Sequence, residues 1–166
     1  MSKYFNNALV GNSNILCCLS DKGELLRLYY PNIDYFQNIN TYKLGIVKNN
    51  KISWFSDANK IEQNYETNIV NTILNIDGIN VLQRDYVLPD KNVLVRNFKF
   101  SEKVNLFLYS KLNSDVNKLV SGMVVQDALI QYCQNFYMAT FSSEKISNYQ
   151  INNSKYTLDN AHLTPV

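Results

Sequence analysis

The sequence has few of the residues on which catalytic and metal sites most often depend. Its 166 residues include one histidine, three cysteines and five glycines that stand apart from one another. Separated glycines do not build a glycine-rich phosphate loop. The single histidine, His162, lies near the C-terminal end, where we expect neither a Ser-His-Asp triad nor a zinc site. The sequence therefore predicts no cofactor and no metal site.

The cysteines also exclude a disulfide framework. Cys17 and Cys18 are adjacent in an apolar run, and neighbouring side chains of a strand point to opposite faces, so a disulfide between them would be strained. Cys133 alone has no partner, and no C-x-x-C pair exists. We expect three free thiols, buried as small apolar side chains in a reducing compartment.

Long apolar runs and basic stripes are absent as well. No apolar stretch approaches the roughly 20 residues that span a bilayer. Met1–Asn7 turns polar at once and lacks the apolar core of a signal peptide. The 16 basic and 14 acidic residues are interspersed, so no face is predicted to bind the phosphates of a nucleic acid. We expect a cytoplasmic protein without a membrane or nucleic-acid partner.

What the sequence does contain is typical of one globular domain. Hydrophobic residues make up 46% and aromatic residues 13% of the chain, a composition that fits a globular fold and argues against disorder. We expect residues 1–151 to form a β-sandwich domain, and residues 152–166, where the apolar pattern fades, to be a tail or a truncation point.

The clearest element is an opening hairpin. Ile15–Leu19 and Leu25–Tyr30 are apolar runs, and Asp21-Lys22-Gly23 between them is a turn, because Gly accepts a positive φ without steric cost. Pro31 has no N–H to donate, so the second strand is predicted to end there.

Two further hairpins have the same kind of signal. Asn49-Asn50 joins predicted strands 42–48 and 51–55, and Asp77-Gly78 joins predicted strands 67–76 and 79–88. The polar segment 56–65 is predicted to be a loop or a short helical turn. Further strands are predicted at 93–100, 104–112, 119–125, 128–134, 136–142 and 146–151, and a long exposed loop at 113–118. About ten to eleven short strands without a helical period indicate an all-β antiparallel sandwich of two packed sheets.

Two kinds of residue are candidates for a site. Asp34 and Asp85 are each followed at once by a Tyr, and such a carboxylate either hydrogen-bonds a sugar hydroxyl or satisfies a local backbone N–H. Planar aromatic side chains with polar tips suit the apolar faces of sugar rings, but they suit a β core or a domain interface equally well. The early aromatic residues are Tyr29, Tyr30, Tyr35, Phe36, Tyr42 and Trp54.

Three segments carry a family resemblance: Gly11-Asn-Ser-Asn14, Asp21-Lys-Gly-Glu-Leu25 and Leu28-Tyr-Tyr-Pro-Asn-Ile-Asp-Tyr35. They resemble the N-terminal domain of bacterial glycoside hydrolase family 15 proteins, the prokaryotic glucoamylases. Segments 67–72, 85–89, 94–96 and 108–110 fit the same pattern, so the resemblance extends to about residue 151. The Tyr-Tyr-Pro ending is its most specific part.

The resemblance implies an antiparallel super-sandwich of the galactose-mutarotase type. It also implies that catalysis belongs to a following (α/α)6 barrel that supplies two Glu residues, so no catalytic residue is carried over to this chain. The implied partner is that barrel within a parent glucan 1,4-alpha-glucosidase-like enzyme. The docking surface, or a wall beside the active-site mouth, is then expected at Tyr29, Tyr30, Pro31, Asp34, Tyr35 and Phe36.

Two other functions stay open. The chain could be a carbohydrate-binding module that holds an α-glucan oligosaccharide with Trp54 and the Tyr29–Phe36 aromatic side chains. It could also be a small stand-alone hydrolase with a carboxylate pair, for which Asp34 and Asp85 are the candidates.

Overall fold

The computed structural model describes residues 6–113 and 120–150, and these residues form an all-β structure. They fall into two compact units, divided after Asn113. A single 3-10 turn, Phe55–Asp57, is the helical element of this described part. The strands are β1 (Ala8–Gly11), β2 (Leu16–Leu19), β3 (Leu25–Tyr29), β4 (Ile39–Lys48), β5 (Lys51–Trp54), β6 (Asn59–Glu66), β7 (Ile69–Ile76), β8 (Ile79–Val87), β9 (Leu94–Phe100), β10 (Asn105–Leu112), β11 (Ser121–Val125), β12 (Ala128–Cys133) and β13 (Phe136–Phe141).

The first unit contains three antiparallel sheets. We name them the first sheet (β1-β2-β3), the central sheet (β10-β4-β5) and the large sheet (β6-β7-β8-β9). Strand β1 lies against β7 and β8, and strand β3 lies beside β4. Leu44 of β4 shares a buried cluster with Leu74 of β7 and Val81 of β8, so the central sheet packs on the large sheet and gives this unit the sandwich architecture that the sequence predicts.

The core of this sandwich follows from the alternation of the strands. Along β7 and β8 every second side chain is buried, as a strand with one face on a core requires. The inward side chains of the large sheet pack against those of β4 and of the 3-10 turn. The buried cluster consists of Leu44, Ile46, Phe55, Ala58, Leu74, Ile76, Ile79 and Val81.

The turns predicted for these hairpins are confirmed, and their residues have the positive φ angles that such turns require. Asn49 and Asn50 have φ of 51° and 59°, and Asp77 and Gly78 have φ of 49° and 84°. Two successive positive φ angles form a type I′ turn, whose twist matches that of the flanking strands. Gly23 has φ of 71° in the opening hairpin, and β3 ends at Tyr29 before Pro31, which follows a cis peptide bond.

Several predictions of local structure were wrong. Strand β1 was not predicted, because its four residues follow a polar beginning. Segment 56–65 holds the predicted short turn but also strand β6, whose side chains are nearly all exposed. A strand with two polar faces has no apolar alternation for the sequence to reveal.

At the other end of the described chain, residues 146–150 form no strand, although one was predicted over 146–151. The predicted loop over 113–118 lies outside the described residues except for Asn113, and the predicted tail 152–166 lies outside them completely. The boundary of a single domain at residue 151 therefore stays a prediction.

The second unit contains the terminal sheet, with strand order β11-β12-β13 and antiparallel pairing throughout. Its two hairpins turn at Gln126 and Gln134, which have φ of 53° and 55°. Cys133 is buried in this unit, and Cys17 and Cys18 are buried in the first sheet. All three thiols are free, as predicted.

Candidate functional site

The corner that follows β3, residues 29–36, has a firmly held base. The backbone N–H of Asn38 donates to the Leu28 carbonyl at 2.8 Å, and the Asn38 side-chain oxygen accepts from the Tyr30 N–H at 2.6 Å. Asn38 is only 1% exposed. Its carbonyl and that of Gln37 accept the backbone and side-chain N–H groups of Asn113 at 2.8 and 2.9 Å. The chain is thus fixed on both sides of the corner.

The tip of the corner, in contrast, is apolar and exposed. Ile33, Tyr35 and Phe36 are 63%, 50% and 57% exposed, and the rings of Tyr35 and Phe36 lie 4.9 Å apart between centroids. The tip is shaped by local hydrogen bonds to Asn32, which accepts from the N–H groups of Asp34 and Tyr35. A fixed loop that presents exposed apolar side chains is a surface suited to a partner.

The structure divides the predicted site residues into separate groups. Tyr35 and Phe36 lie together at the tip with Pro31 and Asp34, which are exposed, whereas Tyr29 and Tyr30 are only partly exposed.

Trp54 lies on the outward face of the central sheet, directly opposite Gly45 of β4. Its ring meets the edge of Phe107 at 5.8 Å, and the Lys43 ammonium lies 5.5 Å from its centroid. This is a half-covered aromatic platform beside a cation. Gly45 makes room for it, because a Cβ at this position would lie 3.1 Å from the indole ring and 2.5 Å from Ile52.

The two candidate carboxylates differ completely in environment. Asp34 is exposed at the tip of the corner. Asp85 is 0% exposed and forms an ion pair with Arg96, whose Nε lies 2.9 Å from Oδ1. The other Asp85 oxygen accepts a hydrogen bond from the Gln83 amide. Asp85 is therefore occupied by side chains of the protein, whereas sequence reasoning had weighed a sugar hydroxyl against a local backbone N–H as its partner.

This polar cluster joins the large sheet to the opening hairpin. Both the Gln83 amide, at 2.6 Å, and the Arg96 guanidinium donate to the Gly23 carbonyl, which belongs to the turn before β3. A Cβ on Gly23 would lie 2.6 Å from the Gln83 nitrogen. Gly23 is therefore required both for its positive φ and for this close approach.

The charges of the cluster control the titration of its neighbours. Burial alone would lower the pKa of Arg96, but Asp85, with smaller contributions from Tyr42 and Cys17, outweighs this effect, so the pKa lies above its usual value. Burial raises the pKa of the Cys17 thiol to about 12, against a smaller opposing effect of Arg96. Burial also raises the pKa of Tyr42, whose ring lies 5.6 Å below the Arg96 guanidinium. These groups are held neutral or paired, which indicates a structural role.

A signal for this cluster exists in the sequence. Gln83 and Asp85 are two residues apart on the inward face of a strand, and Asp85 lies opposite Arg96 in the β8–β9 register. Segments 85–89 and 94–96, on which the family resemblance partly rests, contain this pair. Sequence reasoning weighed Asp85 as a sugar ligand and did not pair it with Arg96, because approximate strand bounds on either side of a turn do not fix the register.

A surface in the second unit was also missed. Strand registers place alternate residues of β11, β12 and β13 on one face of the terminal sheet. We call this the terminal face. Its members are Ser121, Met123, Val125, Ala128, Ile130, Tyr132, Tyr137, Ala139 and Phe141. Four of its large side chains are more than two-fifths exposed, and the rings of Tyr132 and Tyr137 stack at 5.8 Å.

The described ranges, 6–113 and 120–150, also bear on metal binding and membrane crossing. Within them no group of three or more His, Cys, Asp or Glu side chains could hold a metal ion. Among these same residues there is no helix that is long and apolar enough to cross a membrane.

The comparisons with known proteins connect the chain to a glycosyl hydrolase. A protein of Methanocaldococcus jannaschii, named an uncharacterized glycosyl hydrolase, is 28% identical over 170 residues. The match covers 96% of this chain but 27% of the relative, so the chain spans about a quarter of the relative's length. No solved structure matches the chain. The model of a domain of unknown function, DUF7997, matches residues 8–135, which include both the corner and the polar cluster of Gln83, Asp85 and Arg96. The chain therefore belongs to this domain family.

Proposed function

We propose that the chain is a non-catalytic β-sandwich domain of a glucoamylase-type glycoside hydrolase of family 15. In this proposal it docks on a catalytic (α/α)6 barrel and supports it in α-glucan metabolism. The observation that carries the proposal is the similarity to a glycosyl hydrolase along 96% of this chain but only 27% of the relative. A relative of that length has room for a separate catalytic region.

The geometry supports a docking role for the corner. Its base is held by Asn38 and Asn113, while Ile33, Tyr35 and Phe36 present an apolar tip. Preorganised apolar side chains bind a partner with little loss of conformational entropy. The large exposed side chains at the tip are of the type that fills pockets at interfaces.

A chimaeric protein tests this function. The matched segment of the Methanocaldococcus relative is replaced by this whole chain, and thermal unfolding is measured by calorimetry for the chimaera and for the isolated chain. Docking predicts that the β-sandwich unfolds at a higher temperature in the chimaera, because an interface stabilises the folded state. The double variant Y35S/F36S should lose part of this stabilisation, whereas I61S, at a β6 side chain that is 59% exposed, should retain it. Unfolding of the sandwich at the same temperature in both proteins would refute the proposal.

A second candidate function rests on Trp54. Its ring on the outward face of the central sheet, with Phe107 at its edge and Lys43 beside it, has the apolar and polar parts of a sugar platform. The chain has a single Trp, so its fluorescence reports on this site alone. Titration with malto-oligosaccharides should change the Trp emission of the native chain. The variant W54F, followed by titration calorimetry and NMR chemical shifts, should show no response to sugar. Unchanged emission at millimolar sugar would exclude binding at Trp54.

A further inference from the structure

The terminal face differs in its chemistry from the exposed face of strand β8 in the large sheet. None of its nine side chains is charged, and eight are apolar or aromatic. Phe141 and Tyr137 are 73% and 66% exposed. The outward side chains of β8, by comparison, alternate through Asn80, Leu82 and Arg84, as an ordinary solvated face does.

The two faces of the terminal sheet are also unequal. On the opposite face the side chains of Leu129, Met138 and Thr140 are partly buried, and Cys133 is buried. The more apolar face of this sheet is therefore the more exposed one, whereas in an ordinary antiparallel sheet the apolar face is buried and the polar face is solvated. Contiguous apolar patches beyond a few hundred Å² on a soluble protein mark a site of interaction.

The absence of charge narrows the class of partner. The polar groups of this face are the Ser121 hydroxyl and the two Tyr hydroxyls, and it carries no carboxylate, amide or cationic side chain. Phosphate backbones require Lys or Arg, and the terminal face has neither. An uncharged, flat aromatic face fits a similarly apolar protein surface, like the core of an interface.

We propose that the terminal face is a second docking surface for the catalytic region of the parent hydrolase, separate from the corner. The inference rests on the proposed function. The length of the relative supports this choice of occupant. The relative extends far beyond the 27% that matches this chain, and this remainder is available to cover the terminal face. The surface of that region opposite the terminal face is then itself apolar.

Radical footprinting of side chains tests the inference in the same chimaera. Oxidative labelling of Met123, Tyr137 and Phe141 is measured in the isolated chain and in the chimaera. Covered side chains should lose most of their labelling in the chimaera. Tyr149, which is 56% exposed in the same unit but outside the sheet, serves as the matched control and should keep its labelling.

Variants add an energetic test. The double variant Y137S/F141S should abolish part of the thermal stabilisation that the chimaera gives to this chain, while Y137F, which keeps the ring, and Y149S should not. In the isolated chain the same double variant should leave the unfolding temperature nearly unchanged, because both side chains are exposed.

The outcomes separate the two proposals. If the chimaera gives the native chain no stabilisation, the proposed function fails. If stabilisation is present but the terminal face keeps its labelling and Y137S/F141S has no effect, only the present inference fails. A concentration-dependent dimer of the isolated chain that Y137S/F141S disperses would show a second copy as the occupant and would also overturn it.

Discussion

The two ends of strand β3 have opposite surroundings, although they are a few residues apart. The turn before the strand, at Gly23, is buried and accepts hydrogen bonds from Gln83 and Arg96 of the large sheet. The corner after the strand projects Ile33, Tyr35 and Phe36 into solvent. Residues at the buried end therefore hold the sandwich together, and residues at the exposed end are available to a partner. Substitutions at each end should distinguish these two roles.

The largest effect is expected from breaking the buried ion pair. R96M leaves the fully buried Asp85 carboxylate without its charged partner, and removal of one member of a buried pair costs about 3–5 kcal/mol of unfolding free energy. The control is K48M, because Lys48 and Glu102 are separated by 3.2 Å but are 60% and 52% exposed. An exposed pair contributes about 0–1 kcal/mol. Urea unfolding of both variants measures the difference, and equal losses would contradict the structural role of Asp85.

A smaller loss is expected at the turn itself. G23A introduces a Cβ at a residue with φ of 71° and only 2.6 Å from the Gln83 nitrogen. We expect a loss of about 2–3 kcal/mol, from backbone strain and from displacement of the Gln83 amide. G78A is the matched control, since Gly78 has φ of 84° but nothing within 4 Å of the added Cβ. It should lose only about 1–2 kcal/mol from strain, so a G23A loss no larger than that of G78A would remove the packing argument.

The buried thiol beside the cluster predicts loss of stability at alkaline pH. Folding raises the pKa of Cys17 from 9.0 to about 12, so the folded state retains a proton that the unfolded state has released. The contribution of Cys17 is fully present below pH 9 and falls by about 1.4 kcal/mol per pH unit above it, until about pH 12.

The variant C17A should show a shallower decrease between pH 9 and pH 11 in the same urea measurements. Tyr42, whose pKa is also raised by burial, remains in the variant and accounts for part of the residual slope. Identical slopes for the native chain and C17A would mean that the Cys17 thiol titrates at the same pH in the folded and unfolded states.

The smallest effect on stability is expected at the exposed end of β3. Y35S/F36S should change the unfolding free energy by no more than about 0.5 kcal/mol, because both side chains are exposed. N38A, at the base of the corner, removes the acceptor of the Tyr30 N–H and should cost about 1 kcal/mol. A large loss in Y35S/F36S would show that the tip stabilises the fold and is not reserved for a partner.

Sequence reasoning succeeded where the physical cause is local. Asn49, Asn50 and Asp77 belong to residue types that tolerate a positive φ, and Gly78 adopts one freely because it has no Cβ, so the turns and the strands beside them could be recognised. Strand β6 could not be recognised, since its mostly exposed residues carry no apolar alternation. The predicted strand beyond residue 145 failed for the opposite reason: apolar residues there had no sheet partner within the described chain.

For the candidate site, too, features with a local cause could be predicted and features that depend on strand pairing could not. The end of β3 before Pro31 was predicted because proline has no N–H to donate, and this signal is local, whereas a docking surface at the corner was expected only from the family resemblance. The assignment of Asp85 was left open, because its partner Arg96 is separated from it by a hairpin whose register is set only on folding. Likewise the terminal face depends on which side of β11, β12 and β13 is covered, and both sides of these strands contain apolar residues.

The sequence by itself determined an all-β chain with buried free thiols, tight hairpins and an aromatic corner, because backbone preferences and strand alternation act over a few residues. Only the tertiary structure decided that Gly23 meets Arg96, 73 residues later, and that Phe141 faces solvent while Cys133 does not. Such contacts depend on which strands pair and which faces pack, and these are properties of the assembled sheets and not of any single segment.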